Sequence, residues 1–308
     1  MLEFLLKSLK ILVTRSIFIY MVFFLLVWRI LDYSLLINNA VPQTLSRLTP
    51  PIDYFAEFVD RTSNYDKYKL MNCINYHQAV AHFYKYQKSE AYGMLGFCYE
   101  RLGQKDQAID SYQQAIKTTP DNFWPYYNLG VIYYNQGQYS KAQDYLYQAI
   151  EQSPVKTLFL ISRSKVYNDV KLSMTVGSYD YIQGLKEGRI EAYALLMESL
   201  SKAGSFAQLE KVALNGLNEK LGAEGVFYFY AGLAAFNSKS LTNAVLFLKE
   251  SVQHDPNSSD AYYYLGLCFR LAGRDDIATQ LLAKADQLHQ QGANSQIKTY
   301  LNARVRYF

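Results

Sequence analysis

Apolar and polar positions divide the chain into an apolar start and a long segment with helical periodicity. Residues 16–28 form an uncharged run, SIFIYMVFFLLVW, between Arg15 and Arg29. From residue 52 onward, apolar side chains return every three or four positions, the spacing of one face of an α-helix. Glycines and prolines interrupt this periodicity at regular distances. The pattern therefore predicts an all-α chain of short helices that follows an apolar N-terminal segment.

The apolar start is long enough for a transmembrane helix only when its flanks are included, over residues of about 11–37. Arg15 or Arg29 would then extend its long side chain to an interface. Three basic residues precede the run, which predicts a cytoplasmic N-terminus. We interpret residues 1–37 as a single-pass anchor with a short cytoplasmic tail. The rest of the chain would lie on the translocated side, which is the periplasm in a Gram-negative source.

A cleaved signal peptide is the alternative interpretation of this segment. A basic region and an apolar region of suitable length precede a possible cleavage site after Ala40. The sequence INNA, however, lacks a small residue at the third position before the cut. The polar, proline-containing residues 38–51 that follow are predicted to be a linker.

A unit of 34 residues repeats in the remainder of the chain. With Gly96 at position 8, well-matched units begin at Ser89, Phe123, Gly225 and Ser259. Large, small and alanine positions recur at the same places in all four units, and seven or eight positions agree in each, which excludes chance. The residues predicted to pack in these repeats are Gly96, Ala108, Ala115, Pro120, Gly130, Ala142, Ala149, Pro154, Gly232, Ala244, Pro256, Gly266, Ala278 and Ala285.

This pattern resembles the tetratricopeptide repeat, or TPR. The resemblance implies a right-handed α-solenoid of stacked helix–turn–helix units, in which small residues allow the helices to approach closely. Gly103 and Gly137 are expected in the turns, where a left-handed residue is required. Prolines at position 32 are expected to end the second helix of a unit. Because one unit cannot bury its apolar face alone, several must stack.

The strength of the repeat varies along the chain and predicts the domain organisation. Residues 155–190 have lost the glycine and alanine signature. We expect an atypical helix pair that keeps the stack continuous, with a hinge between two shorter stacks as the alternative. The predicted segments are the anchor at 1–37, the linker at 38–51, a divergent N-terminal helix pair at 52–88, two TPR units at 89–154, degenerate helix pairs at 155–224, two TPR units at 225–290, and a C-terminal capping helix at 291–308.

The resemblance also implies a ligand groove, because the first helix of each unit lines the concave face of such stacks. Family members that bind peptides there use positions 2, 5, 9, 12 and 13. The candidate groove residues are Phe97, Arg101, Trp124, Tyr127, Val131, Tyr134, Phe229, Leu233, Phe236, Tyr263, Leu267 and Arg270. These aromatic side chains suit a peptide or helix with apolar anchors, although each can equally fill space between units. Relatives that clamp a carboxylate use Lys, Arg and Asn, and of the corresponding positions Gly93, Phe97 and Asn128 only the last fits.

Composition and charge exclude several classes of function. The net charge of +4 and the absence of a dense basic stripe do not predict nucleic-acid binding. Cys73, Cys98 and Cys268 lack the spacing of metal ligands and are too few for a disulfide framework, although Cys73 can meet Cys98 in a neighbouring helix. The chain contains no nucleotide-binding or hydrolase motif. We therefore predict no cofactor, no metal site and no enzymatic activity.

Together these features predict a membrane-anchored scaffold that binds protein partners through its groove and the membrane through residues 11–37. One alternative is a structural subunit of a larger envelope assembly. Another is an assembly factor that binds client proteins transiently. The repeat supplies a surface without naming the partner or the oligomeric state.

Overall fold

The computed structural model describes residues 67–83, 88–163 and 178–306, which all belong to the second of the two units into which the chain divides, Phe55–Phe308. In these ranges all regular secondary structure is α-helical, as the periodicity predicts. The helices are α1 Lys67–Phe83, α2 Lys88–Arg101, α3 Lys105–Thr118, α4 Phe123–Asn135, α5 Tyr139–Glu151, α6 Pro154–Arg163, α7 Ser178–Lys202, α8 Phe206–Asn218, α9 Glu224–Asn237, α10 Leu241–His254, α11 Ser259–Leu271, α12 Asp275–Gln290 and α13 Gln296–Leu301.

Five helical hairpins stack in chain order along the described part of the protein. They are formed by α2 with α3, α4 with α5, α7 with α8, α9 with α10, and α11 with α12. The second helix of each hairpin packs against the first helix of the next. The first helix is most deeply buried in α4, where every residue from Phe123 to Tyr133 is buried. Second helices bury one stripe, which in α5 consists of Ala142, Leu146 and Ala149.

Glycine at position 8 sets the distance between the two helices of a regular hairpin. A Cβ atom on Gly130 would lie 2.6 Å from the side chain of Leu146, and one on Gly232 would lie 2.6 Å from Leu248. Atoms do not approach this closely, so the second helix occupies space that any other residue would fill. The alanines predicted to pack in the repeats are also buried: Ala108, Ala115, Ala142, Ala149, Ala244, Ala278 and Ala285.

The turns within and between hairpins use different residues. Gly103 and Gly137 adopt φ values of 76° and 73° in the turns within hairpins, a left-handed conformation that favours glycine. Pro120, Pro154 and Pro256 are exposed and lie where one hairpin meets the next. Pro154 is the first residue of α6, where the missing N–H of proline is tolerated. Pro154 thus begins a helix, whereas Pro120 and Pro256 lie in the turns that follow α3 and α10, and their exposure contrasts with the burial of the alanines predicted to pack.

Helix α7 follows α5 directly in the packing order of the described residues, and residues 164–177 between α6 and α7 lie outside them. Helix α7 is 25 residues long and runs through the expected boundary at residues 190–191. It packs directly against α5, where the Gln143 side chain donates a hydrogen bond to the Ser199 carbonyl at 2.9 Å. The described hairpins therefore stack continuously from α5 to α7, while the helix pair expected at 155–190 stays a prediction because part of it lies outside the described residues.

A buried arginine joins three helices in this irregular part of the stack. The Arg189 guanidinium on α7 donates to both carboxylate oxygens of Glu219, at 2.7 and 3.0 Å. It also donates to the carbonyls of Ile150 and Gln152, at 3.0 and 3.1 Å. These carbonyls lie at the end of α5, where a helix leaves its acceptors without internal partners. Because Glu219 directly follows α8, the side chain of Arg189 connects α5, α7 and α8.

A disulfide joins the first two helices that the structure describes. Cys73 on α1 and Cys98 on α2 have sulfur atoms 2.21 Å apart and Cα atoms 6.7 Å apart. The sequence left open whether these residues meet, since only the packing of neighbouring helices decides it. Cys268, which occupies the same repeat position as Cys98, is a buried free thiol.

The C-terminal residues do not form the continuous capping helix predicted for 291–308. Helix α13 contains only six residues, Gln296–Leu301. Its start is held by the Asp255 carboxylate, which accepts the backbone N–H of Gln296 at 2.8 Å. Residues 303–306 are not helical, and they lie against α4 and α7. Asn128 on α4 pairs there with the backbone of Arg306.

The predicted membrane anchor at 11–37 and the linker at 38–51 lie outside the described residues. None of the helices in the described ranges combines the length and the apolar character needed to cross a membrane. This finding contradicts the predicted localisation as a single-pass membrane protein with repeats on the translocated side. We do not retain that localisation.

Candidate functional site

The C-terminal tail, defined here as residues 302–306, fills a surface formed by α4 and α7. We call this surface the groove. Tyr127 and Asn128 of α4 contact the tail from one side, and Glu187 and Glu191 of α7 contact it from the other. The contact between Asn128 and Arg306 joins residues that are 178 positions apart in the chain. The groove therefore already holds a short segment of polypeptide.

Asn128 binds the backbone of the tail through both ends of its side-chain amide. Its Oδ1 accepts the N–H of Arg306 at 2.7 Å, and its Nδ2 donates to the carbonyl of the same residue. Asn128 is fully buried, and a buried amide requires partners of this kind. Both bonds involve main-chain groups, so Asn128 holds a segment of chain without regard to its side chains.

The Tyr127 hydroxyl adds a second contact to the tail backbone. It lies 3.0 Å from the Arg304 carbonyl and also hydrogen-bonds to the Glu191 carboxylate. Burial raises the pKa of Tyr127 well above its usual range, and the negative charge of Glu191 raises it further. The hydroxyl consequently keeps its one proton, for which the Glu191 carboxylate and the Arg304 carbonyl are the two acceptors within reach.

The side chain of Arg306 enters a pocket with acidic and aromatic walls. Its guanidinium donates to Glu191 Oε1 at 2.7 Å and to the Gly184 carbonyl at 3.1 Å. A carboxylate oxygen of Glu187 lies 3.6 Å away. Burial acts to lower the pKa of Arg306, but Tyr127, Glu191 and Glu187 raise it, so the net shift is upward. Arg306 therefore stays charged in this pocket.

Trp124 forms the aromatic wall of the pocket. The Arg306 guanidinium carbon lies 5.8 Å from the centre of the indole ring, within the range of a cation–π contact. On its other side the ring rests against α7 at Gly188, where a Cβ atom would come within 2.9 Å of it. Edge-to-face contacts with Phe123 and Tyr127 hold the indole in place. Gly188 and these two rings thus position Trp124 beneath the arginine.

The predicted groove residues of the first two hairpins are mostly buried. Phe97, Trp124, Tyr127 and Val131 are at most 2% exposed. Arg101 lies over the Phe97 ring at 5.1 Å, and Tyr134 is partly buried beside Tyr139. Of the six candidates in these hairpins, Trp124 and Tyr127 are brought together around the tail.

The predicted groove residues of the last two hairpins form a different environment. Phe229 and Phe236 both pack edge-on against Tyr264, with ring centroids 6.1 and 5.5 Å apart. The structure thus brings this pair together in an aromatic cluster on α9 and α11. The remaining four candidates range from buried to exposed: Leu233 is buried, Leu267 is partly buried, and Tyr263 and Arg270 are exposed.

Sequence reasoning missed three residues of this site. Glu187 and Glu191 fell on the expected boundary between two degenerate units, and Arg306 was assigned to a capping helix. The sequence EGRIE nevertheless places two carboxylates four residues apart, on one face of a helix. That pair is a local signal for a cation-binding surface. No comparable signal marks Arg306, because its role depends on a contact across the stack. Elsewhere in the described ranges, no group of three metal-ligating side chains converges.

Comparison with known families identifies repeats in two parts of the chain. A profile described as "TPR repeat" matches residues 98–137, and profiles described as "Tetratricopeptide repeat" match residues 124–154 and 260–289. The tetratricopeptide repeats expected from the sequence are confirmed by these matches.

Similar proteins share this repeat over short stretches. "Tetratricopeptide repeat protein 6" of Homo sapiens is 35% identical over 69 residues, which cover 22% of this chain and 13% of that protein. "TPR repeat-containing protein MJ1428" of Methanocaldococcus jannaschii is 29% identical over 66 residues, or 21% of this chain and 12% of that protein. The chain thus matches about an eighth of the length of these relatives. Among solved structures, "Crystal structure of MamA protein" has 18% identity and a TM-score of 0.47, covering 71% of this chain and 98% of that one.

Proposed function

We propose that this chain is a non-enzymatic scaffold that holds an extended segment of a partner protein in the groove between α4 and α7. Tetratricopeptide repeats are protein-interaction modules, and stacked repeats offer long surfaces for binding. The observation that carries the proposal is the pair of hydrogen bonds between the Asn128 amide and the backbone of Arg306. Main-chain bonds of this kind give a peptide site its affinity, while neighbouring pockets give it specificity.

The side chains around Asn128 support the same function. Trp124 and Tyr127 are large, fully buried aromatic residues that contact the tail. Aromatic side chains that become buried on contact commonly dominate the affinity of an interface. The contacts of the groove are hydrogen bonds, ring contacts and ion pairs, which suit binding and require no reacting group.

The test compares two asparagines of the same helix. Asn128→Ala removes the backbone contacts, whereas Asn135→Ala changes an exposed residue at the end of α4. The full-length chain and both variants are crosslinked in native cells, and bound proteins are quantified by mass spectrometry. For Asn128→Ala we expect the amount of crosslinked partner to fall about tenfold or more, because hydrogen bonds between uncharged groups are lost at the centre of an interface. For Asn135→Ala we expect the amount of crosslinked partner to be unchanged.

A further control ensures that the variants are compared in the folded state. Because Asn128 also holds the tail, all proteins are compared at a temperature at which each is folded by circular dichroism. An unchanged set of partners for Asn128→Ala would contradict binding through the groove. It would favour a structural subunit that assembles through another face of the stack.

A further inference from the structure

We propose that the groove selects an extended segment that carries arginine, and that the tail fills it as an internal ligand. The external ligand is a segment of a partner protein with a small residue, any residue, an apolar β-branched residue and an arginine in succession. It replaces Ala303, Arg304, Val305 and Arg306. The proposal rests on the proposed function, since it specifies the segment that the groove binds.

The shape of the pocket favours arginine over lysine. The Arg306 guanidinium meets a carboxylate at Glu191, a carbonyl at Gly184 and the face of Trp124 at the same time. A planar group with several N–H donors and an exposed π-face makes all three contacts. The ammonium group of lysine is a point charge that lacks this planar geometry, so it would lose part of the set. The Arg306 side chain is only 10% exposed, and a lost contact there is not replaced by water.

The exposure of the other tail residues shows which side chains the protein contacts. Ala303 and Val305 are 7% and 4% exposed, whereas Arg304 between them is exposed. Over residues 303–305 this alternation is that of an extended chain, and Arg306 departs from it because its side chain is buried in the pocket as well. The groove therefore accepts a small residue and a β-branched residue at the two buried positions and tolerates any residue at the outward one.

The charges of the groove favour a basic ligand. Glu187 and Glu191 lie four residues apart on α7, a spacing at which like charges repel. Arg306 lies between them and contacts both. Glu100 on α2 is a third carboxylate that interacts with the tail: burial raises its pKa overall, although the charges of Arg101, Lys105 and, to a smaller extent, Arg304 act to lower it. When the tail leaves, the carboxylates of the groove lose their positively charged partner, and a segment with positive charge replaces it.

The tail is suited to exchange because few of its residues bind. It is joined to α13, a six-residue helix, and contacts the groove through residues 303–306. A tethered ligand of this kind acts through an effective concentration on the order of millimolar. A partner segment with the same contacts displaces it once the partner's own local concentration is comparable.

The first experiment measures binding of a labelled peptide with the sequence NARVRYF, residues 302–308, by fluorescence anisotropy. The receptor is the full chain, either wild type or Arg306→Ala. We expect the variant to bind about tenfold or more tightly than wild type, because its own tail no longer competes. Equal affinity for the two chains would overturn the role of the tail as an internal ligand.

Matched peptides then test the selectivity for arginine. A peptide with lysine at the position of Arg306 is expected to bind about tenfold more weakly than the parent. A peptide with lysine at the position of Arg304 carries the same net charge and is expected to bind like the parent, because that side chain is exposed. Equal binding of the two lysine peptides would overturn the arginine pocket.

Receptor variants locate the site on α7. In the Arg306→Ala chain, Glu191→Gln is expected to reduce peptide affinity about tenfold or more. Glu198→Gln is the control on the same helix, because Glu198 pairs with Tyr230 and Lys202 and not with the tail. Equal losses for the two substitutions would place the peptide elsewhere and overturn the proposal.

A reporter in the full chain covers the case in which Arg306→Ala does not fold. Trp28→Phe leaves Trp124 as the single tryptophan of the chain. We expect Arg306→Lys, the milder variant, to shift Trp124 emission to longer wavelength and the parent peptide to reverse the shift. An unchanged emission would overturn the proposal. A wild-type dimer that dissociates on Arg306→Ala would also overturn it, because the groove would then be occupied by the tail of a second copy of the chain. Loss of arginine selectivity leaves the dependence of partners on Asn128 unaffected, so the two proposals fail separately.

Discussion

The α4–α5 and α7–α8 hairpins occupy adjacent layers of the stack but are held together differently. In α4–α5, Gly130 leaves space for Leu146, and the two helices meet through small and apolar residues. In α7–α8 the corresponding position is Met197, which is fully buried. On the second helix of this layer, Gly216 faces the ring of Phe227 on α9.

A small residue can thus change position within a repeat while the stack remains intact. The close approach shifts from the interior of the hairpin to the contact with the next layer. The contact with the preceding layer then depends on polar groups, since Arg189 bonds to the carbonyls at the end of α5 and to Glu219 after α8. A regular layer is thus specified by shape, and the irregular layer is specified in part by hydrogen bonds.

The largest expected effect concerns the polar contact of the irregular layer. Arg189→Met removes the guanidinium, so the Glu219 carboxylate and the carbonyls of Ile150 and Gln152 lose this hydrogen-bond donor. We expect a loss of about 3 kcal/mol in the free energy of unfolding, measured by urea titration. Lys202→Met is the control on the same helix, because its contacts with Glu198 and with the Tyr139 hydroxyl on α5 are partly exposed and together contribute less than about 1 kcal/mol. Similar losses for the two variants would mean that Arg189 does not join the layers.

The next effect concerns the shape of a regular layer. Gly130→Ala places a Cβ atom against Leu146, and we expect a loss of about 1–3 kcal/mol from overpacking. Gly184→Ala is the matched control in α7, because a Cβ there meets no atom within 4 Å. It should be neutral or stabilising by up to about 1 kcal/mol, since alanine favours a helix over glycine. A shift in the same direction for both variants would contradict the role of glycine in the regular hairpins.

Two buried tyrosine hydroxyls, one in the irregular layer and one in a regular layer, are expected to differ in their contribution to the free energy of unfolding. Tyr193 in the irregular layer donates to Glu219 at 2.6 Å, so Tyr193→Phe should cost about 1.5 kcal/mol. The buried hydroxyl of Tyr112, which faces Gly96, has no hydrogen-bond partner among the described residues. Tyr112→Phe should therefore change the free energy of unfolding by less than about 0.5 kcal/mol. Thermal or urea unfolding of the two variants decides this, and a reversed order would refute the distinction between the layers.

The smallest perturbation is the labelling of cysteines in the first and last hairpins. Cys98 is bound to Cys73, whereas burial raises the pKa of the Cys268 thiol to about 11. At pH 8 the reactive thiolate is scarce, and labelling should accelerate as the pH rises toward 11. By mass spectrometry, iodoacetamide should modify no cysteine in the folded chain, one after denaturation and all three after reduction. Modification of three cysteines without a reductant would exclude the disulfide.

The regular hairpins were predictable because their information is local. Gly130, Ala142 and Ala149 specify how two helices within one unit approach each other, and the spacing repeats in the sequence. The continuity of α7 across residues 190–191 was not predictable from a fixed period, because the period places a boundary there even though no residue at 190–191 favours a turn.

The candidate site was predictable only on one side. Trp124 and Tyr127 follow from their positions in the repeat, and both contact the tail. The apolar residues Ile297 and Val305 have a spacing that suits a helix, yet Val305 lies in a non-helical segment. That outcome depends on Asn128, which is far away in sequence, so no local pattern contains it.

The return of the tail to α4 has a consequence for how the protein unfolds. In a linear stack each layer touches only its neighbours, so the ends can open without disturbing the rest. Here a contact between residues 178 positions apart connects the C-terminal tail, which follows the last helix, to an early layer. Opening at the C-terminus then weakens the second hairpin as well, which favours a single cooperative transition. Since such a contact closes a long loop, it also forms late and raises the contact order of a fold that is otherwise local.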